Sequence, residues 1–116
     1  MDWFAFDAEH SYGYGAGGSQ ATSQNGHSNM LYTYAATRPL RAVYFDGFSA
    51  EKKADGTLDM QDVLVSRDNT DEVRIADSER GELLCAWGKQ YGIQGFVREE
   101  ATFELLWCDF EDGVQM

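Results

Sequence analysis

Five acids stand where chemistry is easiest to place. Asp46 closes the apolar run Val43-Tyr44-Phe45, Asp59 and Asp62 open the segment after Gly56-Thr57-Leu58, and Glu99 and Glu100 close Gly-Phe-Val-Arg-Glu-Glu. Strand ends in α/β sheets commonly carry functional groups. Two carboxyls about 5 Å apart, or about 6.5–9.5 Å apart, can cleave a glycosidic bond, provided that one of them holds its proton near neutral pH. Asp46, Asp59 and Asp62 are therefore the candidate catalytic residues of a hydrolase. The same three are candidate metal ligands, since calcium takes converging carboxylate oxygens. The plainer alternative is an aspartate that caps backbone amides in a turn, beside solvated acids on an acid-rich surface.

A stricter calcium loop is a poor fit. Setting Gly56 at the loop glycine places Glu51 first, Asp55 fifth, Asp59 ninth and Asp62 twelfth. Lys53 then falls at the third ligand position, and Asp62 is shorter than the usual bidentate glutamate. A polar turn at Asp55-Gly56 explains the segment better.

The two histidines, His10 and His27, lie in or near a Gly- and Ser-rich stretch that is expected to be too flexible to hold a site. Together with Cys85 and Cys108 they would make four zinc ligands, but no two have the close spacing of a zinc site. Cys85 and Cys108 would bridge a helix to the last strand in an oxidising compartment, or stay as two buried thiols; spacing leaves both open. Ser49 lacks the Gly-x-Ser-x-Gly setting of a hydrolase nucleophile. The glycines lack the Gly-Lys-Ser/Thr of a phosphate loop. No Asn-x-Ser/Thr sequon is present. Trp87, Trp107, Phe103 and Tyr91 read as core. Tyr12, Tyr14, Tyr32 and Tyr34 are harder to bury, and exposed aromatics can stack on sugar rings.

The elements that must position these residues begin late. The first 30 residues hold no Leu, Ile or Val, and residues 11–29 contain five Gly, four Ser, two Gln and two Asn. Such composition predicts a flexible N-terminal segment over residues 1–30, with Trp3, Phe4 and Phe6 free to dock elsewhere. Residues 31–116 then form one domain. Leu31–Thr37 alternate with a strand period. Val43–Phe45, closed by Asp46-Gly47, predict a strand buried on both faces and so central in its sheet. Val63–Val65 predict another strand. Residues 69–92 predict the main helix. Asn69 and Glu72 have capping-box spacing, Gly92 is placed to end the helix, and Gly81 weakens its middle. A second parse makes Glu72–Ala76 a strand and starts the helix near Ser78. Residues 95–99 and 102–110 predict a closing hairpin. The fold class is α+β: a small mixed or antiparallel sheet of four to five strands with one main helix packed on it.

The phrases Val-Tyr-Phe-Asp-Gly-Phe-Ser-Ala, Gly-Thr-Leu-Asp-Met-Gln-Asp, Leu-Cys-Ala-Trp-Gly and Trp-Cys-Asp-Phe resemble those of a family of large uncharacterised fungal proteins, extracellular or membrane-tethered. The resemblance spans residues 38–110. It implies a fungal origin, an extracellular or cell-surface setting that suits a disulfide, and a chain that is a piece of a longer parent, whose remainder would then be a partner. It implies no activity. The N-terminal residues have no signal-peptide pattern, since residues 1–9 carry three acids and no Lys or Arg.

Charge and composition exclude other classes. The chain has 116 residues, with 9 Lys plus Arg against 20 Asp plus Glu, for a net charge of −11. That balance speaks against phosphate-driven nucleic-acid binding and adhesion to anionic membranes. No apolar run approaches the length of a membrane span. An apolar share of 43% rules out global disorder. The function expected is a non-catalytic structural or interaction module with a capacity for carbohydrate. A glycosidase-like hydrolase using Asp46, Asp59 or Asp62 is the first alternative, and a calcium-stabilised extracellular module the second.

Overall fold

A computed structural model describes residues 1–16, 30–50, 60–65, 75–100 and 102–116. The element order is β1 (Asp2–Ala5), α1 (Ala8–Ala16), β2 (Ala35–Ala36), β3 (Ala42–Asp46), a 3-10 turn (Gly47–Ala50), α2 (Met60–Val65), α3 (Asp77–Lys89), β4 (Gly95–Glu100), β5 (Thr102–Trp107) and β6 (Val114–Gln115). The main sheet has strand order β1-β5-β4-β3, and β2 pairs with β6 in a separate ribbon. The architecture is α+β, as expected, and the sheet is mixed. β3 and β4 are parallel neighbours joined through the helices, whereas β4–β5 is the expected antiparallel hairpin and β1 adds antiparallel to β5.

Register decides which side chains share a face. Phe45, Arg98, Glu104 and Ala5 form one row across the four strands; Val43, Phe96, Leu106 and Trp3 form the next. This face carries the core of Phe45, Ala50, Leu84, Phe96 and Leu106, packed around by Leu64, Val65, Cys85, Trp87 and Ile93. α3 approaches the sheet closely. A Cβ on Gly88 would lie 3.0 Å from the Phe96 ring, and one on Gly81 would lie 3.3 Å from Leu106. Gly81, read from sequence as a weak point, lets the helix sit down on its strands. Cys85 and Cys108 form a disulfide with Cα atoms 5.6 Å apart, tying α3 to the residue after β5.

The opposite face is covered at one end and open at the other. Phe4 packs against Tyr34 and Phe110, with ring centroids 5.0 and 4.8 Å away. Trp107 lies over Gly95, where a Cβ would come within 2.6 Å of its ring, and its indole N–H donates to the Asp112 carbonyl. Beyond this cover, Phe6, Tyr44 and Phe103 form an exposed aromatic row.

Several elements differ from expectation. β3 is an edge strand, not a central one, because the β4–β5 hairpin and β1 extend the sheet away from its other side; Tyr44 in the middle of its apolar run points outward and is 53% exposed. Residues 63–65 are helical in α2. The helical turn brings Gln61 to full burial, its amide donating to the Ser49 carbonyl, and sets Leu64 and Val65 against the core; these contacts override β propensity. The strand expected over residues 31–37 shrinks to Ala35–Ala36, paired with β6. α3 begins at Asp77, close to the second parse, and Ala76 before it is extended at ψ 147°. Acidic Asp77 and Glu79 occupy its first turn, where the helix dipole favours them. Gly92 follows the helix at φ +66° as expected. The proposed capping pair Asn69–Glu72, and all of 71–74, lie outside the described residues. In the N-terminal segment, residues 2–5 are sheet and 8–16 are helix; Trp3 and Phe4 dock by adding a strand. No helix among the described residues is long and apolar enough to cross a membrane.

Candidate functional site

Between β1, the start of α1 and the start of α3 lies a cleft of about 460 Å³, lined among the described residues by Asp2, Trp3, Phe4, Ala5, His10, Ser11, Asp77, Arg98 and Glu104. Its floor follows from sheet register. Arg98 and Glu104 are directly opposed on β4 and β5, a favourable cross-strand charge pair, and both are nearly buried at 2% and 4% exposure. Trp3 on β1 belongs to the same face one row away, and the Arg98 guanidinium stacks over its ring at 4.1 Å.

A continuous chain of ion pairs holds this floor. Arg98 donates to both Asp77 oxygens at 2.7 and 3.2 Å and to Glu104 Oε2 at 3.1 Å. It also donates to the side-chain amide oxygen, Oε1, of the buried Gln61. Arg80, 1% exposed, donates to Asp77 and, through Nε at 2.6 Å, to Asp62. Burial of this kind is tolerated only where each charge is paired. Among the described residues, Arg98 Nε is a buried polar atom without a hydrogen-bond partner.

His10 closes the cleft from α1. The Asp7 carboxylate accepts from the His10 backbone N–H at 2.6 Å, capping the helix and fixing its first turn. The His10 ring then hydrogen-bonds Thr102 Oγ1 at 3.0 Å and brings Nε2 within 3.5 Å of Glu104. The expectation that His10 lies in a loop too flexible for a site is corrected: a capped helix and two partners on β5 hold it. His27 lies outside the described residues.

Of the candidate acids with described side chains, Asp46 and Glu99 are strand neighbours and Asp62 lies on another element. Asp46 ends β3, exposed on the open face, with Glu99 as its Cα partner on β4. Asp62 on α2 is clasped by Arg80. Asp59 lies outside the described residues, as does the side chain of Glu100. Among the described residues, no group of three or more His, Cys, Asp or Glu is arranged to hold a metal ion. Partial desolvation raises the pKa of Tyr44 above its ordinary value, and the charges of Glu99 and then Asp46 add to it. Elsewhere on the surface, the hydrogen bond from Arg38 holds the Asp112 carboxyl below its ordinary value.

Sequence reasoning missed Arg98, Glu104, Asp77 and Arg80. A signal for two of them was present. Phe96 and Arg98 share one face of their strand, and Glu104, Leu106 and Cys108 share one face of theirs, so each apolar face carried one charge of opposite sign.

The fold and site together define an α+β domain with a small-ligand-sized cleft at one end of its sheet. The chain belongs to the family of the YPL277C N-terminal domain, whose family model matches residues 16–116. It is 34% identical over 99 residues to the Saccharomyces cerevisiae uncharacterized proteins YPL277C and YOR389W. Each match covers 77% of this chain, but 20% of the first relative and 16% of the second; the chain spans about a fifth or less of the curated relatives it matches. No solved structure matches. The expected membership in a fungal family without an assigned activity holds. The family match begins near the end of α1, so Asp77, Arg98 and Glu104 fall within it, while Trp3, His10 and Ser11 precede it.

Proposed function

We propose that this chain is a non-catalytic interaction module that holds a small ligand in the cleft between β1, α1 and the start of α3. One observation carries the reading: the cleft of about 460 Å³ is lined by the buried ion pair of Arg98 and Glu104 together with Trp3 and His10. The cleft volume lies in the range of small-molecule sites. The carboxylates around it serve as acceptors for Arg98 and Arg80, which suits recognition better than proton transfer. The Cys85–Cys108 bridge supports an oxidising, extracellular or cell-surface setting, where such a module would act as one part of a longer protein.

The test is an NMR screen of the intact chain against a fragment collection of neutral, anionic and cationic compounds. The expected result is that some compounds shift the Trp3 indole and His10 ring resonances together. A collection that shifts neither would overturn the reading.

A further inference from the structure

The face of the sheet opposite the core reads across the strands in two rows. Tyr44, Val97, Leu105 and Phe4 form one; Asp46, Glu99 and Phe103 form the next. Tyr34 and Phe110 cover Phe4, but Tyr44, Phe103 and Phe6 are exposed. Tyr44 stacks on Phe103 at 6.4 Å between centroids, and Phe6 meets Phe103 edge-on at 6.3 Å. Contiguous exposed apolar surface rimmed by polar groups marks an interaction site. The rim here is acidic. Among the described residues, neither the Asp46 nor the Glu99 carboxylate has a hydrogen-bond or ion-pair partner. Their field reaches the nearest ring, because Glu99 and then Asp46 add to the desolvation that raises the Tyr44 pKa. The strand that carries Tyr44 and Asp46 is also an edge. Among the described residues β3 pairs with β4 alone. Its sequence Ala-Val-Tyr-Phe-Asp holds neither the Lys nor the Pro that commonly blocks strand addition.

From these features we infer that the β3 edge and the open face dock an extended basic segment of a second protein, with an arginine beside Asp46 and an apolar residue two positions away beside Tyr44. A strand added to an edge sets alternate side chains on one face, so the two residues that meet Asp46 and Tyr44 are spaced by two. A guanidinium pairs with a carboxylate through two hydrogen bonds and is weakly hydrated, which suits it to a rim of two carboxylates beside aromatic rings. The net charge of −11 steers a basic segment towards the chain. Other occupants fit less well. A wholly apolar segment would bury Asp46 and Glu99 without partners. A second copy docked by the same face would bring these acids against their own like. This surface lies on the face away from the cleft of Arg98 and Glu104, and it stands apart from the small-ligand reading.

The experiment adds the acetylated and amidated peptide Thr-Val-Thr-Arg-Thr-Val-Thr to the intact chain and follows backbone amide resonances. The Tyr44, Asp46 and Phe103 signals are expected to shift with saturation, while the Trp3 indole stays in place. Replacing the peptide's Arg by Gln or Glu is expected to weaken binding at least about tenfold, and added salt to weaken the Arg peptide alone. Two exposed-face variants test the placement. Asp46→Asn/Glu99→Gln is expected to remove the preference for Arg over Gln, and Tyr44→Thr to weaken every peptide severalfold. If the Gln peptide binds wild type as tightly as the Arg peptide, the charge match is overturned. If the Arg peptide binds both variants as tightly as wild type, its attraction is to the acidic chain at large and the placement is overturned. If the Tyr44 and Phe103 signals move on dilution of the chain alone, a second copy occupies the face and the proposal falls. It falls equally if no peptide binds.

Discussion

Arg98 concentrates the energetics of the domain in one side chain. Removing it leaves Glu104, nearly buried, and Asp77 without their principal partner. Arg98→Met is therefore expected to destabilise the fold by about 3–5 kcal/mol, read as a lower urea midpoint at unchanged slope. A second residue-scale prediction concerns Tyr44. Its raised pKa comes first from partial desolvation and then from Glu99 and Asp46. The double variant Asp46→Asn/Glu99→Gln is expected to lower the midpoint of its ultraviolet phenolate titration without bringing it fully to the ordinary value. A group raised in the folded state stabilises below its unfolded value, so wild-type stability should fall as pH rises above about 10. Asp112 has the opposite sign. Its carboxyl is held low by Arg38, so its contribution is present above its unfolded value near 3.8 and is lost as pH falls through the folded value. In Arg38→Gln, the Asp112 carboxyl carbon should titrate at higher pH than in wild type; an unchanged midpoint would remove Arg38 as the cause.

The elements show where local pattern suffices and where it does not. The β4–β5 hairpin and the Gly92 helix stop were legible because turn length and glycine placement are local constraints. α2 was not, because Val63-Leu64-Val65 reads as strand by composition and becomes helix only when Gln61 finds the Ser49 carbonyl and Asp62 finds Arg80. β1 was missed for a related reason: Trp3 and Phe4 gain their place from β5, about a hundred residues away, and nothing nearby announces that partner. The disulfide was legible only as one of two alternatives, since spacing cannot report the 5.6 Å between Cα atoms. Its bridge spans a sequence separation of 23, for which loop closure predicts about 3 kcal/mol of stabilisation. The double variant Cys85→Ala/Cys108→Ala is expected to lose about that much in thermal or urea unfolding, and to keep the sheet, because the β-ladder does not run through the cysteines. Equal stability of bridged and variant protein would contradict it.

At the scale of the whole molecule, the sheet has two unlike faces. One carries α2, α3 and the core; the other leaves Phe6, Tyr44 and Phe103 exposed beside Asp46 and Glu99. The net charge of −11 adds self-repulsion that salt screens, so the melting temperature is expected to rise as ionic strength increases from low values towards about 0.15 M. The candidate site sits at neither the strand end nor the loop that the sequence offered. It lies where an N-terminal strand and helix meet charges buried on the core face, and six of its nine lining residues precede the region the family shares. Spacing along the chain does not reveal such a site, because its residues converge only through register: Arg98 opposite Glu104, Glu104 opposite Ala5, and Leu106 opposite Trp3. The most direct measurement follows the Trp3 indole and His10 ring resonances of the intact chain during the fragment screen. A saturable shift of both signals with the same compound is the result this account predicts. A collection that leaves both unmoved would contradict it.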